Sequence, residues 1–348
     1  MSITIRDLAR SSGVSVGTVS RVLNDHPAVS SDLRERVQKA IRESGFRANA
    51  RAQNLARKSS GCIGFLVANR PVLQPFNSWV LNGVTDYCEA RGYLVICARW
   101  QYSPASPLSV VDLPRLLKID GAVDALIVAG TNYTNLMDCL DKVAVPYVTV
   151  GNSLFVDPPR PQTDQVRFDH ASGGRQATEY LIHLGHRDIW YVGDLSLAWY
   201  VERFEGYRRA MLDAGLEPRA QVEGLSDDRF VNGFYSAEMI LSQRQPVTAI
   251  IGSTNEVAYG VCEAVERQGL QIPADISLVG FDDERTMHKS RPLTTVWVDP
   301  AEEGRQLAKM AIEKVHSPGI HLPEVVIPTQ LVKHNTCRPL LNNVTQSH

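Results

Sequence analysis

Two periodicities of apolar positions divide the chain. Near the start, Ile5, Leu8 and Ala9 recur at helical spacing behind Thr4-Ile5-Arg6-Asp7, whose threonine oxygen suits capping of orphan backbone N–H groups. Gly13 predicts the stop of this helix, because a residue that tolerates positive φ commonly ends one. Ser15 suits the cap of a second helix over VGTVSRVLN, with Val19 and Val22 on one face. Asn24-Asp25-His26-Pro27 breaks it. Ser30 or Ser31 opens a third helix in which Leu33, Val37, Ala40 and Ile41 share a face, and Gly45 ends it. Helix, glycine turn, helix and supporting helix is the order of a helix-turn-helix.

From Cys62 onward the period changes. CIGFLVA, YLVICAR, ALIVAG, YVTVG, IWYVG, AIIGS and SLVGF are short apolar runs of strand character, with helical stretches between several of them. That alternation predicts an α/β body with parallel sheets, and the count suits two doubly wound halves. Ligands of such folds bind beyond the carboxyl ends of the strands. The expected organisation is an all-α head over 1–46, a hinge or linker over 47–59, and a body over 60–340 of two parallel-sheet subdomains. A tail over 341–348 follows. The closing LLNNVTQSH carries no leucine heptads, so nothing in it predicts a coiled coil.

Residues 13–17 read GVSVG, which fits the G-x-S-x-G turn that presents a nucleophilic serine in α/β hydrolases. That turn needs a strand before the serine and further sheet strands upstream. Here a helical run precedes it, and fourteen residues cannot supply a sheet. Ser15 therefore reads as a helix cap, and no enzyme is expected. His183-Leu-Gly-His186 looks like a metal pair but lies at a helix end. The sequence has no P-loop, no G-x-G-x-x-G and no His/Asp pairing that suggests a triad. No metal and no cofactor are expected.

Charge sharpens the division. Residues 1–60 hold eleven Lys/Arg against five Asp/Glu, a net +6, while the whole chain is −2 and the remainder therefore −8. A basic head on an acidic body predicts a polyanionic partner for the head. No apolar run reaches the length of about 18–20 residues that a membrane helix needs. MSITIRDLAR lacks the layout of a signal peptide. The six cysteines are scattered without a C-x-x-C pair, which suits free thiols. These features predict a cytoplasmic protein with no membrane partner.

TIRDLARSSGVSVGTVSRVLNDHPAVSSDLRERVQKAIRESGF resembles the DNA-binding head of the LacI/GalR family of bacterial regulators. The resemblance implies that the second helix lies in the major groove of double-stranded operator DNA. Val16, Gly17 and Arg21 would then occupy base-reading positions, and Thr18, Ser20 and Asn24 would touch phosphates. The capping residues Thr4, Ser15 and Ser30 complete the expected DNA-facing set. Arg21 suits a bidentate contact to guanine. Gly17 departs from the long polar residue often found there. RANARAQNLARK resembles the family hinge, which implies that Leu55 is a wedge in the minor groove, flanked by Asn49, Arg51, Ala52 and Ala56. Such a helix, about eight residues long, is too short to be stable alone, so its folding would be coupled to DNA.

EYLIHLGHRDIWYVGD, TAIIGSTNEVAYGVCEAVERQGLQIPADISLVGFDDE and RPLTTVWVDPAEEGRQLAK resemble the family's periplasmic-binding-protein-like core. This implies two halves joined by crossovers near 160, 290 and 328, with a small effector in the cleft between them. Arg203, Asn255 and Asp282 would bind its polar groups, with Phe76 and Trp199 as lids or stacking faces. That set suits a sugar or sugar derivative. Glu256 and Gly151-Asn152 depart from the family pattern near the cleft. The expected function is a homodimeric transcriptional regulator, a repressor, under effector control. The alternative is a sugar-binding protein with no DNA role, which the basic head and the absence of a leader-like start oppose.

Overall fold

The computed structural model describes residues 3–23, 27–46, 59–107, 113–155, 161–222, 224, 226, 228–243, 245–282 and 292–340. The expected roles of Asn24, Asn49, Arg51, Ala52, Leu55 and Ala56 lie outside these residues, as does the tail over 341–348. The chain divides into two compact units, Met1–Ser60 and Gly61–His348.

In the head, α1 (Ile5–Ser12), α2 (Val16–Leu23) and α3 (Ser31–Ser44) enclose a small core of Leu8, Ala9, Val19, Val22, Val37 and Ala40. Thr4 and Asp7 form a reciprocal capping box on α1. Gly13 closes the helix in the left-handed region at φ 65°. That conformation lets the chain reverse into α2 within three residues. The Arg36 guanidinium of α3 donates to the Ser12 carbonyl at 2.9 Å, tying the turn to the third helix.

In the body, the first strands in chain order are β1 (Cys62–Ala68), β2 (Leu94–Trp100), β3 (Ala125–Gly130), β4 (Asn132–Tyr133), β5 (Tyr147–Val150), β6 (Leu154–Phe155) and β7 (Gln165–Phe168). They are followed by β8 (Ile189–Val192), β9 (Arg219–Gln221), β10 (Ala249–Gly252), β11 (Ser277–Phe281), β12 (Thr294–Trp297), β13 (Val325–Ile327) and β14 (Gln330–Val332). The first half is a parallel sheet in the order β13-β7-β5-β3-β1-β2. The second has the order β14-β12-β11-β10-β8-β9, parallel except for β14, which runs antiparallel to β12. Strands β3, β8, β10 and β11 are buried along their whole length, as continuous apolar runs between helical layers should be.

The helices are α4 (Pro75–Glu89), α5 (Arg115–Lys118), α6 (Thr134–Leu140), α7 (His170–His183), α8 (Ala198–Asp213), α9 (Arg229–Ser242), α10 (Asn255–Arg267) and α11 (Pro300–His316). Three pairs cross at reciprocal glycines: Gly83 and Gly304 between α4 and α11, Gly174 and Gly206 between α7 and α8, Gly233 and Gly260 between α9 and α10. A Cβ at any of the six would fall within 2.2 Å of a carbonyl oxygen on the facing helix. These backbones touch because no side chain intervenes.

The chain passes between the halves three times. It leaves β7 of the first sheet at Phe168 and enters α7 of the second half at His170. It returns between Trp297 of β12 and Pro300 of α11, which packs on α4 of the first half. It crosses last between Ile327 of β13 and Gln330 of β14. The crossovers expected near 160 and 290 thus lie at 168–170 and 297–300. The cause is that β7 and β12, which lie outside the seven apolar runs, each extend the sheet they leave before the chain crosses.

Candidate functional site

On the head, burial of Val19 and Val22 turns the opposite side of α2 outward. Val16, Gly17 and Arg21 are exposed on it. Ser15 caps the helix: its Oγ accepts the Thr18 N–H at 3.1 Å, and the two hydroxyls lie 2.9 Å apart. Ser20 is half-buried. Thr4 spends its hydroxyl on Asp7, donating to Oδ2 at 2.6 Å. These bonds to Thr4 hold the Asp7 carboxyl below its usual range. Ser30 sits at the cap position of α3, but its side chain makes no capping bond. A Cβ on Gly17 would meet only the Ser15 Oγ at 3.7 Å, so the folded head leaves room for a side chain there.

In the body, a cleft opens at the carboxyl ends of both sheets. The first half contributes Arg70 after β1, Phe76 and Asn77 on α4, and Asn152 after β5. The second half contributes His170, Trp199, Tyr200, Arg203, Arg229 and Asp282. The sequence-nominated Phe76, Trp199, Arg203 and Asp282 therefore meet in one cavity. Asn255 does not line it. Its buried side chain accepts a bond from the Thr295 hydroxyl at 2.9 Å and borders an adjoining pocket with Phe76 and Asp282.

The floor of the cleft is a network centred on Arg203, which is only 3% exposed. Its Nη2 donates to Asp282 Oδ1 at 2.6 Å, its Nη1 to the Ser253 carbonyl at 2.5 Å, and its Nε to His170 Nδ1 at 3.4 Å. The guanidinium lies 4.0 Å from the centre of the Phe281 ring. Burial, then the Arg203 and Arg167 charges, hold His170 well below its usual range. The ring is therefore neutral, and acceptance at Nδ1 assigns its proton to Nε2. Burial raises the Asp282 carboxyl, and Arg203 opposes that rise. Asp282 has φ 113°, a region that non-glycine residues rarely occupy and that tends to cluster at binding sites. Arg203 thus positions Asp282 at the floor of the cleft while itself lining the cavity.

Two departures from the family pattern acquire contacts. Glu256 is exposed and pairs with Arg229 at 3.0 Å. Asn152 joins the halves. Its Nδ2 donates to the Phe168 carbonyl at 3.2 Å and to the Glu202 carboxylate of α8 at 3.1 Å, while its Oδ1 accepts the Phe168 N–H. Burial raises the Glu202 carboxyl. A second contact between the halves is aromatic: Phe155 of β6 meets Trp199 edge-on at 6.3 Å.

Arg70, His170, Tyr200 and Arg229 were not singled out from the sequence. A strand-end signal could have found Arg70, which stands two residues beyond the run CIGFLVA. His186, the other half of the apparent metal pair, is buried and bonded to the Thr248 hydroxyl and the Arg338 carbonyl. Among the described residues, no helix is long and apolar enough to cross a membrane.

A helix-turn-helix head on a two-half α/β clamp with a polar cleft is the build of a ligand-controlled DNA-binding regulator. The chain joins a LacI-family DNA-binding domain to a periplasmic-binding-protein-like domain, and its relatives are LacI-family transcriptional regulators. Residues 4–49 match the bacterial regulatory proteins of the lacI family, and residues 178–337 match the periplasmic binding protein-like domain. The HTH-type transcriptional regulator CelR of Thermobifida fusca is 29% identical over 337 residues, covering 94% of this chain and 96% of that protein. The lac repressor dimer bound to operator and the anti-inducer ONPF superposes with a TM-score of 0.77 at 26% identity, over 97% of this chain and all of that one. A CelR–cellobiose complex gives 0.67 at 27% identity, over 96% and 99%. The expectation of a regulator rather than an enzyme agrees with these relatives.

Proposed function

We propose that this protein is a cytoplasmic repressor that binds a near-palindromic operator as a homodimer and changes its DNA affinity when a sugar or sugar derivative occupies the cleft. The observation that carries the reading is the cleft itself. Polar groups from both halves converge at the carboxyl ends of two parallel sheets, so one ligand touches both halves and can bias their relative pose. A ligand shifts an equilibrium only by its differential affinity for the two states, typically about 1–3 kcal/mol of coupling. The cellobiose bound by CelR supports a saccharide class. Phe76 and Trp199 offer faces to ring CH groups, and Asp282 offers an acceptor to hydroxyls.

On the head, Val16, Gly17 and Arg21 face the bases, with Thr18 and Ser20 at phosphates. Leu94 of edge strand β2 and Tyr235 of α9, 69% and 50% exposed, are apolar faces that suit contact with a second copy. The test is Arg21→Ala on DNA. Specific affinity falls by about 1–3 kcal/mol and preference relaxes at one base per half-site. Equal loss on random duplex shows instead that Arg21 touches only phosphate.

A further inference from the structure

We propose that the effector is an anion: a hydroxyl-bearing molecule of saccharide size whose carboxylate or phosphate is held by Arg70. The inference rests on the cleft being the effector site. Among the described residues, four charged side chains line the cavity, the guanidiniums of Arg70, Arg203 and Arg229 and the carboxylate of Asp282. The two inner charges neutralise each other, since Arg203 and Asp282 are paired at 2.6 Å. Arg229 is balanced at the rim by Glu256.

Arg70 is different. It is half-buried, and its hydrogen bond among the described residues runs from Nε to the Thr131 hydroxyl at 3.0 Å. Among the described residues no carboxylate pairs with it, and the rest of the lining contributed by the first half is neutral. The side chain is aimed by construction. Asn69, at φ 54°, turns the chain out of β1, and its Oδ1 accepts the Tyr102 N–H at 3.0 Å. With Nε anchored on buried Thr131, the two terminal nitrogens form a fork suited to two oxygens of one anionic group. A partly desolvated cation without a counter-charge is costly, and a ligand anion removes that cost. A neutral sugar leaves it in place. With the anionic end on Arg70 and the ring beside Phe76 and Trp199, the hydroxyls fall toward Asp282.

The test is calorimetry on the full chain with D-glucuronate, D-gluconate, glucose 6-phosphate and glucose. The inference expects at least one anion to bind tenfold or more tightly than glucose, and Arg70→Gln to erase most of that preference. Arg70→Lys, which keeps charge but not the fork, recovers part of it. The carboxylate and phosphate arms identify which anion the fork takes. Tightest binding by glucose, or an anion preference that survives Arg70→Gln, overturns the inference. If the surviving preference is also untouched by Asp282→Asn, the ligand binds elsewhere and the cleft reading falls too. Binding by no member of the panel likewise overturns the inference.

Discussion

The head and the body solve opposite problems. The head keeps its chemistry outside. Its core is built mainly of apolar side chains, and its ion pairs Arg10–Asp7 and Lys39–Glu43 are surface contacts at 3.8 and 3.9 Å. Its Asp7 carboxyl is pulled down by hydrogen bonds. The body keeps its chemistry inside, and burial dominates there: it pushes up Asp282, Glu202 and Glu303 and pushes down His170. A long polyanion is read from an exposed face, whereas a small ligand is enclosed, and enclosure makes every unpaired charge expensive.

That contrast can be broken most forcefully at the cleft floor. Arg203→Met leaves Asp282 without its buried partner and should destabilise the body by about 3–5 kcal/mol in chemical denaturation. A loss under about 1 kcal/mol shows that the pair is not integral to the fold. In the head, Leu8→Ala should cost about 2–5 kcal/mol, because Leu8 is fully buried in a core of few side chains. DNA binding should be lost while ligand binding by the body persists. Simultaneous loss of both contradicts the separation of the two units.

Glu303 tests the burial argument by pH. Both its carboxylate oxygens are buried without a hydrogen-bond partner among the described residues, and burial holds the group well above its usual range. The folded state therefore keeps a proton that the unfolded state releases, so stability falls as pH rises past the ordinary carboxylate range. Glu303→Gln carries no such dependence. The two proteins should be alike near pH 4, and by pH 7 the variant should lead by about 1–3 kcal/mol. A constant gap across pH contradicts the assignment. The smallest effect is expected at Gly17. Alanine fits the space and should stabilise the head by about 1 kcal/mol. A fall in DNA affinity with that gain in stability would show that the DNA backbone needs close approach at this point.

Much of this contrast is legible in the sequence, because local rules govern the head. Capping at Thr4, the Gly13 turn and the spacing of Val19 and Val22 are short-range signals. The seven apolar runs named as strands likewise form strands. What escaped has a physical cause. β7 reads QVRF, whose polar positions look like surface, yet Gln165 and Arg167 both bond Glu324 at 2.6 and 2.9 Å. A distant acid satisfies them, and no local pattern shows it. Part of the cleft lining escaped for the same reason. Arg70, His170, Tyr200 and Arg229 are far apart in sequence and meet only when two sheets place their strand ends together. Asn255 serves the fold through its bond from Thr295 and borders the pocket beside the cleft with Phe76 and Asp282.

The central claim is that occupancy of the cleft changes how the head binds DNA. The most direct measurement is fluorescence anisotropy on a labelled operator selected from random duplexes. It is titrated with and without the tightest binder among glucuronate, gluconate, glucose 6-phosphate and glucose, for wild type and Asp282→Ala. The account predicts a ligand-dependent change in operator affinity of about 5–150-fold for wild type. It predicts no change for Asp282→Ala, which should still bind operator. A wild-type affinity that the bound ligand does not move, or an equal shift in Asp282→Ala, would contradict it.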